Sequence, residues 1–208
     1  HNESGATIAQ HLLMQWGVDA DACARVAQTI RDHLRPAEQA EVESRCLYDA
    51  DTIDANLGLP AFVRNIYIHL HFHDIRKSGE TPPLAELLRE SPMDYVRPYV
   101  LENLPRWNAG KRRDFIPRLL TESGRKIARA RLDRLEATFG CLAGELEGYA
   151  ANSHHGCLSA VLYFMHHRDD PSIAEETSNL LKMPSATNGS PALHAFLAHL
   201  QREMAGVE

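Results

Sequence analysis

Imidazole and carboxylate groups that could bind a metal ion occur in three short segments of the first sixty residues. The segments are His-Asn-Glu-Ser at 1–4, Ile-Arg-Asp-His at 30–33 and Tyr-Asp-Ala-Asp-Thr-Ile-Asp at 48–54. A hard or borderline divalent ion needs nitrogen and oxygen donors that converge from different elements of the fold. The helical patterns around these segments place one histidine before the first helix, His33 at the end of the second and Asp51 within the third. The sequence therefore predicts a mixed imidazole and carboxylate site where these helices meet.

The position of Asp51 relative to the apolar residues predicts that it is shielded from solvent. It lies one helical turn after Leu47, on or beside the predicted buried stripe of the third helix. Burying an unpaired carboxylate costs free energy, which favours a metal ion or a cationic partner there. Asp54 follows one turn later and could support the ligand through hydrogen bonds. A second interpretation stays open, in which His33 caps its helix while Asp49 and the other two aspartates are simply solvated.

A longer pattern runs through the same segments. It consists of His1-x-Glu3-Ser4-x-x-x-Ile8-Ala9, then Ile30-x-x-His33, then Asp49-Ala50-Asp51-x-Ile53-Asp54-x-x-x-Gly58. This pattern resembles the middle of an HD-domain metal-dependent phosphohydrolase, in the small bacterial branch of that superfamily. A weaker likeness extends over 124–131, and the resemblance covers about Asn2 to Glu147.

The resemblance implies a set of site residues. Asp51 matches the final aspartate that binds the primary metal, and His1 and His33 match further histidines that hold a second metal in some branches. Glu3 or Asp49 would act as a base beside the metal-bound water, and the sequence does not separate the two.

Arg64 follows the aspartate motif at a place where the resembling proteins also carry an arginine. It would bind the substrate phosphate. The alternative role is a salt bridge to Asp54 or Glu102, and the sequence leaves both roles open.

The main departure from the family concerns its first histidine and its His-Asp doublet. We expect these residues to precede His1. A rival placement takes His73-Asp74 as the doublet, with His33 or His69 before it and Asp133 after it, but this placement leaves the aspartate motif at 49–54 unexplained. The charged cluster at 111–113 is interpreted as solvated loop charge, and 166–170 as a solvated helix end.

The activity implied by the resemblance is hydrolysis of a nucleotide or another small phosphorylated metabolite by a metal-activated water. Iron, manganese, cobalt and magnesium are compatible with such ligands, as one or two ions. The alternative is a catalytically inactive HD-like helical regulatory or interaction module. A homodimer contact is one of the two roles considered for the C-terminal segment, the other being a cover over the active site.

Composition favours a helical protein and excludes some classes of partner. The chain has 208 residues, of which 44% are hydrophobic and only 7% aromatic, and Leu, Ala and Ile dominate the apolar set. A net charge of −6 argues against binding to duplex nucleic acid or an anionic membrane. No apolar run approaches the ~20 residues of a membrane span. Four cysteines without a CxxC pair indicate a reduced, cytoplasmic protein.

The periodicity of apolar residues predicts an all-α fold, an HD-like helical bundle with a C-terminal helical extension. We assign residues 1–149 to the bundle and 150–208 to the extension. Four helices are expected before residue 78, and six prolines predict loops and short helices over 78–117. A long amphipathic helix begins near Thr121, and three shorter helices follow it.

Overall fold

All regular structure within the described residues is helical, which confirms the predicted fold class. The computed structural model describes residues 2–37, 40–77, 92–148, 156–167, 173–183, 186 and 188–207, with the backbone alone for 71–77 and 92. In chain order the helices are α1 (Asn2–Gln15), α2 (Ala20–Asp32), α3 (Val42–Asn56), α4 (Leu59–Lys77), α5 (Pro92–Pro98), α6 (Leu104–Asp114), α7 (Glu122–Glu147), α8 (Cys157–His166), α9 (Ile173–Leu181) and α10 (Pro191–Met204). A π-helical turn (Tyr99–Asn103) joins α5 to α6, and a 3-10 turn (Ile116–Arg118) precedes α7.

Local sequence explains where several helices begin and end. The side chains of Asp19, Thr121 and Ser190 each accept a hydrogen bond from the amide three residues on, at 2.9, 2.9 and 3.2 Å, so they cap α2, α7 and α10. Pro191 occupies the first turn of α10, where its missing amide hydrogen costs nothing. Gly17 follows α1 with a φ of 79°, which a side chain would disfavour.

The described part of the segment rich in proline contains short helices, as the sequence predicted. Within its described part, residues 92–117, Pro98 ends α5 and Pro105 lies in the first turn of α6. Pro105 is tolerated because the first turn of a helix leaves its amides unpaired, whereas Pro98 lacks the amide that would pair four residues back, and the α-helical pairing gives way there to the π-helical turn. The first part of this segment, 78–91, lies outside the described residues.

Most of the buried core residues come from α4, α7, α8 and α10, and single residues of other helices join the same cluster. Helix α8 is apolar over most of its surface and lies in the middle of this group, while Phe62 of α4 meets Phe139 of α7 edge-on at 5.4 Å between ring centroids. The helices beyond residue 150 share one buried cluster with α4 and α7. The predicted domain boundary near 150 falls outside the described residues. No described helix combines the length and the apolar character that a membrane crossing needs.

Helices α1 and α2 form a hairpin at the edge of this core. Only Ala6, Cys23 and Ala27 of the hairpin are fully buried, and none of them belongs to the main buried cluster. Helix α2 packs against α3, which in turn contacts α4 and α7. The hairpin is thus joined to the core chiefly through α3.

A buried carboxylate from α10 caps the start of α4. Glu203 accepts hydrogen bonds from the Leu59 amide at 2.8 Å and from Arg134 Nε at 2.9 Å. Gly58 has a φ of +93°, and an added Cβ there would overlap the Glu203 carboxylate. Glycine is therefore required at this corner both for the backbone conformation and for the approach of the carboxylate. We call such an arrangement a carboxylate–glycine cap.

A second carboxylate–glycine cap holds the start of α8. Glu145 accepts hydrogen bonds from the amides of Cys157 at 2.9 Å and Leu158 at 2.7 Å. An added Cβ at Gly156 would overlap this carboxylate. Negative charge at a helix N-terminus is favourable because the unpaired amides there carry partial positive charge.

Candidate functional site

The aspartate motif lies on α3, and its first member forms a third carboxylate–glycine cap. Asp49 is only 2% exposed, and its oxygens accept from the Leu120 amide at 2.7 Å, the Thr121 amide at 2.8 Å and the Thr121 hydroxyl at 2.6 Å. An added Cβ at Gly124 would overlap the carboxylate. Asp49 thus holds the start of α7, and the geometry engages both of its oxygens. This arrangement gives Asp49 a structural role, and the suggested role as a catalytic base stays a prediction.

Asp51 lies on the exposed side of α3, so the prediction that it is buried was wrong. The buried residues of this helix are Ser44, Asp49 and Ile53. Two residues along a helix turn the side chain by about 200°, so a buried Asp49 places Asp51 on the opposite face. Within the described part of the chain, no side chain or amide pairs with the Asp51 carboxylate.

His33 caps the C-terminus of α2 and is largely buried. Its Nδ1 lies within hydrogen-bond distance of the Ile30 carbonyl oxygen. A carbonyl oxygen can only accept, so Nδ1 carries the hydrogen and a neutral ring has its lone pair on Nε2. The cap interpretation of His33 therefore fits the structure. The same tautomer is the one in which metal-binding histidines are commonly held.

The first two sequence segments lie together. Asn2 Nδ2 donates to the Arg31 carbonyl oxygen at 3.0 Å, and Glu3 pairs with Arg31 Nε at 3.2 Å. These contacts bring the start of α1 to the last turn of α2, beside His33. Glu3 is otherwise exposed and touches Arg31 alone among charged partners of the described chain. His1 lies outside the described residues.

The side chain of Arg64, which belongs to α4, contacts the C-terminus of α3. Its Nη1 donates to the carbonyl oxygens of Asp54 at 3.3 Å and Ala55 at 3.2 Å, and Nη2 is 3.9 Å from the Asp54 carboxylate. Lys111 Nζ donates to Asn56 Oδ1 at 3.1 Å from the other side. Two cations thus compensate the partial negative charge of this helix end. Of the two alternatives for Arg64, the structure contains the contact with Asp54.

The remaining basic residues of 111–113 are on α6, where a loop was predicted. Arg112 Nη2 is 2.8 Å from Asp133 and 3.1 Å from Glu136, and Arg113 pairs with Asp114 at 2.7 Å. His69, a member of the rival placement, stacks near Tyr99 at 4.8 Å between ring centroids. The side chains of 73–74 lie outside the described residues.

A groove of about 840 Å³ lies between α2 and α3, beside the place where the two helices pack against each other. Apolar side chains including Val26 and Leu47 line it, together with Arg25, Arg35 and carboxylates such as Asp32. Leu47 precedes Asp51 by four residues, so Asp51 continues the α3 face of the groove one turn further. The two arginines were missed in the sequence because neither belongs to a motif: Arg25 lies on α2, and Arg35 lies in the bend that follows this helix.

The described residues do not contain a complete metal site. No three His, Cys, Asp or Glu side chains within them lie close enough together to hold an ion. Asp51 is a suitable single oxygen donor, whereas the predicted ligand at position 1 is beyond the described part. Comparison with known proteins found no matching family model, no similar curated protein and no similar solved structure.

Proposed function

We propose that the protein is a metal-dependent phosphohydrolase of the HD type, with Asp51 as a metal ligand. The observation that carries this proposal is the difference between two carboxylates of the aspartate motif. The oxygens of Asp49 accept the hydrogen bonds that cap α7. The carboxylate of Asp51 is exposed, and no described residue contacts it. An exposed carboxylate one helical turn beyond the groove lining is available to an ion, whereas a carboxylate with three hydrogen bonds is not.

The groove between α2 and α3 is the proposed substrate site. Its volume of about 840 Å³ lies within the range of roughly 300–1,000 Å³ that is usual for small-molecule sites. Arg25 and Arg35 could bind phosphate oxygens, and apolar side chains between them could contact a base or another flat group. A bound divalent ion would supply an activated water and polarise the phosphoryl group. A nucleotide or another small phosphorylated metabolite fits this combination.

A second candidate function is a non-catalytic helical module that binds a partner. The observation in its favour is the outer face of the α1–α2 hairpin, where Ile8, Met14 and Trp16 are exposed, the last to 73%. Exposed apolar residues of this size often mark contact surfaces. The absence of a complete ligand set among the described residues is compatible with this module as well.

Metal content of the purified protein separates the two functions. We expect stoichiometric iron, manganese, cobalt or another divalent metal by elemental mass spectrometry in the wild type. Asp51→Asn should lose it, because one oxygen ligand becomes a neutral amide. The matched control is Asp133→Asn, which changes an equally exposed aspartate on α7 and should keep the metal. A wild type that contains no metal and takes up none on incubation would reject the phosphohydrolase and favour the module.

A further inference from the structure

The outer face of α1 carries a concentration of exposed apolar side chains. Helix α1 packs on α2 and has no comparable contact with any other described helix, and Ala6 is its one fully buried residue. Large hydrophobic side chains are exposed repeatedly between residues 8 and 18, namely at Ile8, Leu12, Met14, Trp16 and Val18. Single exposed apolar residues are normal, whereas a group of them on one short segment indicates a contact surface.

The same segment has no charged side chains. Residues 4–18 contain no Asp, Glu, Lys or Arg, although these four types make up 24% of the chain. The neighbouring helix α2 has Asp21, Arg25, Arg31 and Asp32 within a similar length. A surface helix normally carries charge on its outer side, while the centre of a protein–protein interface is depleted of charge. The composition of α1 is therefore typical of an interface.

The absence of charge on this face restricts the choice of partner. Two different proteins usually recognise each other through complementary charges, and residues 4–18 offer none. The chain has a net charge of −6, so two copies repel each other unless the surfaces that meet are uncharged. The outer face of α1 meets this condition, which favours a second copy of the chain as its partner.

Residues four apart on α1 form a ridge that fits a second copy of itself. Ser4, Ile8 and Leu12 are all exposed. The Trp16 amide donates to the Leu12 carbonyl oxygen at 3.0 Å, so Trp16 extends the row by one turn. Such ridges pack into the grooves of a facing helix. In an antiparallel pair with twofold symmetry, Ile8 of one copy meets Leu12 of the other, and the large Trp16 lies over the small Ser4. The row is thus complementary to itself in size, as a twofold contact requires.

The exposed area of α1 is sufficient for such a contact. Thr7, His11 and Gln15 form a second exposed row beside the first and supply uncharged polar groups to it. With Ile8 exposed to 60% and Trp16 to 73%, the two rows present on the order of 600 Å² per copy, or roughly 1,200 Å² in a pair. This area exceeds the ~1,000 Å² that a specific interface needs.

We propose that the protein forms a twofold-symmetric homodimer in which α1 of one copy packs antiparallel on α1 of the other. Ile8 and Leu12 lie at the centre of this contact, and Trp16 lies at each end. The contact uses neither Asp51 nor the α2–α3 groove, so it holds or fails independently of the proposed phosphohydrolase activity.

Sedimentation of the full chain at increasing concentration measures the association. We expect the mass to double, with a dissociation constant in the micromolar range. The chain has two tryptophans, so in Trp107→Phe the emission comes from Trp16 alone. This emission should shift to shorter wavelength over the same concentrations, because the exposed indole becomes covered. A chain that stays monomeric up to about 0.3 mM, or a doubling of mass without the emission shift, would overturn the proposal.

Charge variants test the register of the two helices. Ile8→Lys and Leu12→Glu each place a charge against an apolar residue of the other copy and should weaken dimerisation about tenfold or more. The double variant pairs the two new charges across the twofold axis and should recover most of the lost affinity. The control is Ile68→Lys, which changes an isoleucine that is 47% exposed on α4 and should leave the dimer intact.

Circular dichroism melting verifies that each variant is folded, as expected for substitutions at exposed positions. Undiminished dimerisation in Ile8→Lys and Leu12→Glu would place the interface elsewhere and refute the proposal. A double variant that associates no better than the single ones would refute the antiparallel arrangement.

Discussion

Replacement of Asp49 should destabilise the protein far more than replacement of Asp51, although only two residues separate them. In Asp49→Ala, the amides of Leu120 and Thr121, which belong to partly buried residues, lose the buried carboxylate that accepts from them. Each orphaned buried amide costs about 1–3 kcal/mol, and the charge at the N-terminus of α7 is lost in addition. We therefore expect Asp49→Ala to lower the free energy of unfolding by about 3–5 kcal/mol.

The conservative variant and the neighbouring residue calibrate this value. Asp49→Asn keeps one carbonyl oxygen as an acceptor but turns an NH2 group towards a donor, so we expect a loss of about 1–3 kcal/mol. Asp51→Ala removes an exposed side chain without a described partner and should stay within about 0.5 kcal/mol of the wild type.

Urea denaturation in the presence of a chelator measures all three variants, because the chelator removes any contribution from bound metal. For a chain of this length, a loss of about 4 kcal/mol corresponds to a fall in melting temperature of roughly 8–16 °C. If Asp49→Ala lies within about 1 kcal/mol of the wild type, or if Asp51→Ala is the more damaging variant, the assigned division of roles is wrong.

Three further predictions concern other parts of the structure. Gly124→Ala should lower the free energy of unfolding by about 2–4 kcal/mol, because the added methyl group overlaps the Asp49 carboxylate. Gly144→Ala, the control, should raise it by up to about 1 kcal/mol from helix propensity alone, and denaturant titration compares the two variants. Burial raises the pKa of Glu203 against the opposing effects of the Leu59 amide, Arg131 and Arg134, so the wild type should lose stability relative to Glu203→Gln as pH rises above the ordinary glutamate pKa of about 4; urea denaturation at several pH values measures this change, and a gain of the wild type over Glu203→Gln with rising pH would contradict the assignment. Burial and the nearby Glu145 raise the pKa of the Cys157 thiol to about 12, and Cys23 is fully buried. An aromatic disulfide reagent at pH 8 should therefore react quickly with Cys46 and Cys141 alone. Rapid reaction of all four thiols in the native protein would contradict this prediction.

The helices could be predicted from the sequence because their signals are local. The apolar spacing of α7, the cap at Thr121 and the stop at Gly17 all lie within a few residues of the structure they specify. The proline-rich segment could be predicted only as a mixture of loops and short helices, because proline is compatible with the first turn of a helix as well as with loops. Pro105 shows the first of these uses.

The orientation of α3 could not be predicted from local spacing. Leu47 was expected to mark the buried stripe, yet it is half-buried in the wall of a groove, while Ser44 and Asp49 face the interior. A buried aspartate becomes favourable only because the start of α7 brings two amides to it from 71 and 72 residues away. No pattern within the helix itself encodes that partner.

The cap at the start of α4 has a consequence for folding during synthesis. Glu203 and Leu59 are 144 residues apart in the chain, and until Glu203 has left the ribosome the corner at Gly58 lacks its carboxylate. During most of translation, the first turn of α4 must therefore expose its amides or pair them with water. Contacts of such long sequence separation form late and slow the final step of folding. The surface of α4 that packs against α10 consequently stays uncovered until the ribosome has synthesised α10.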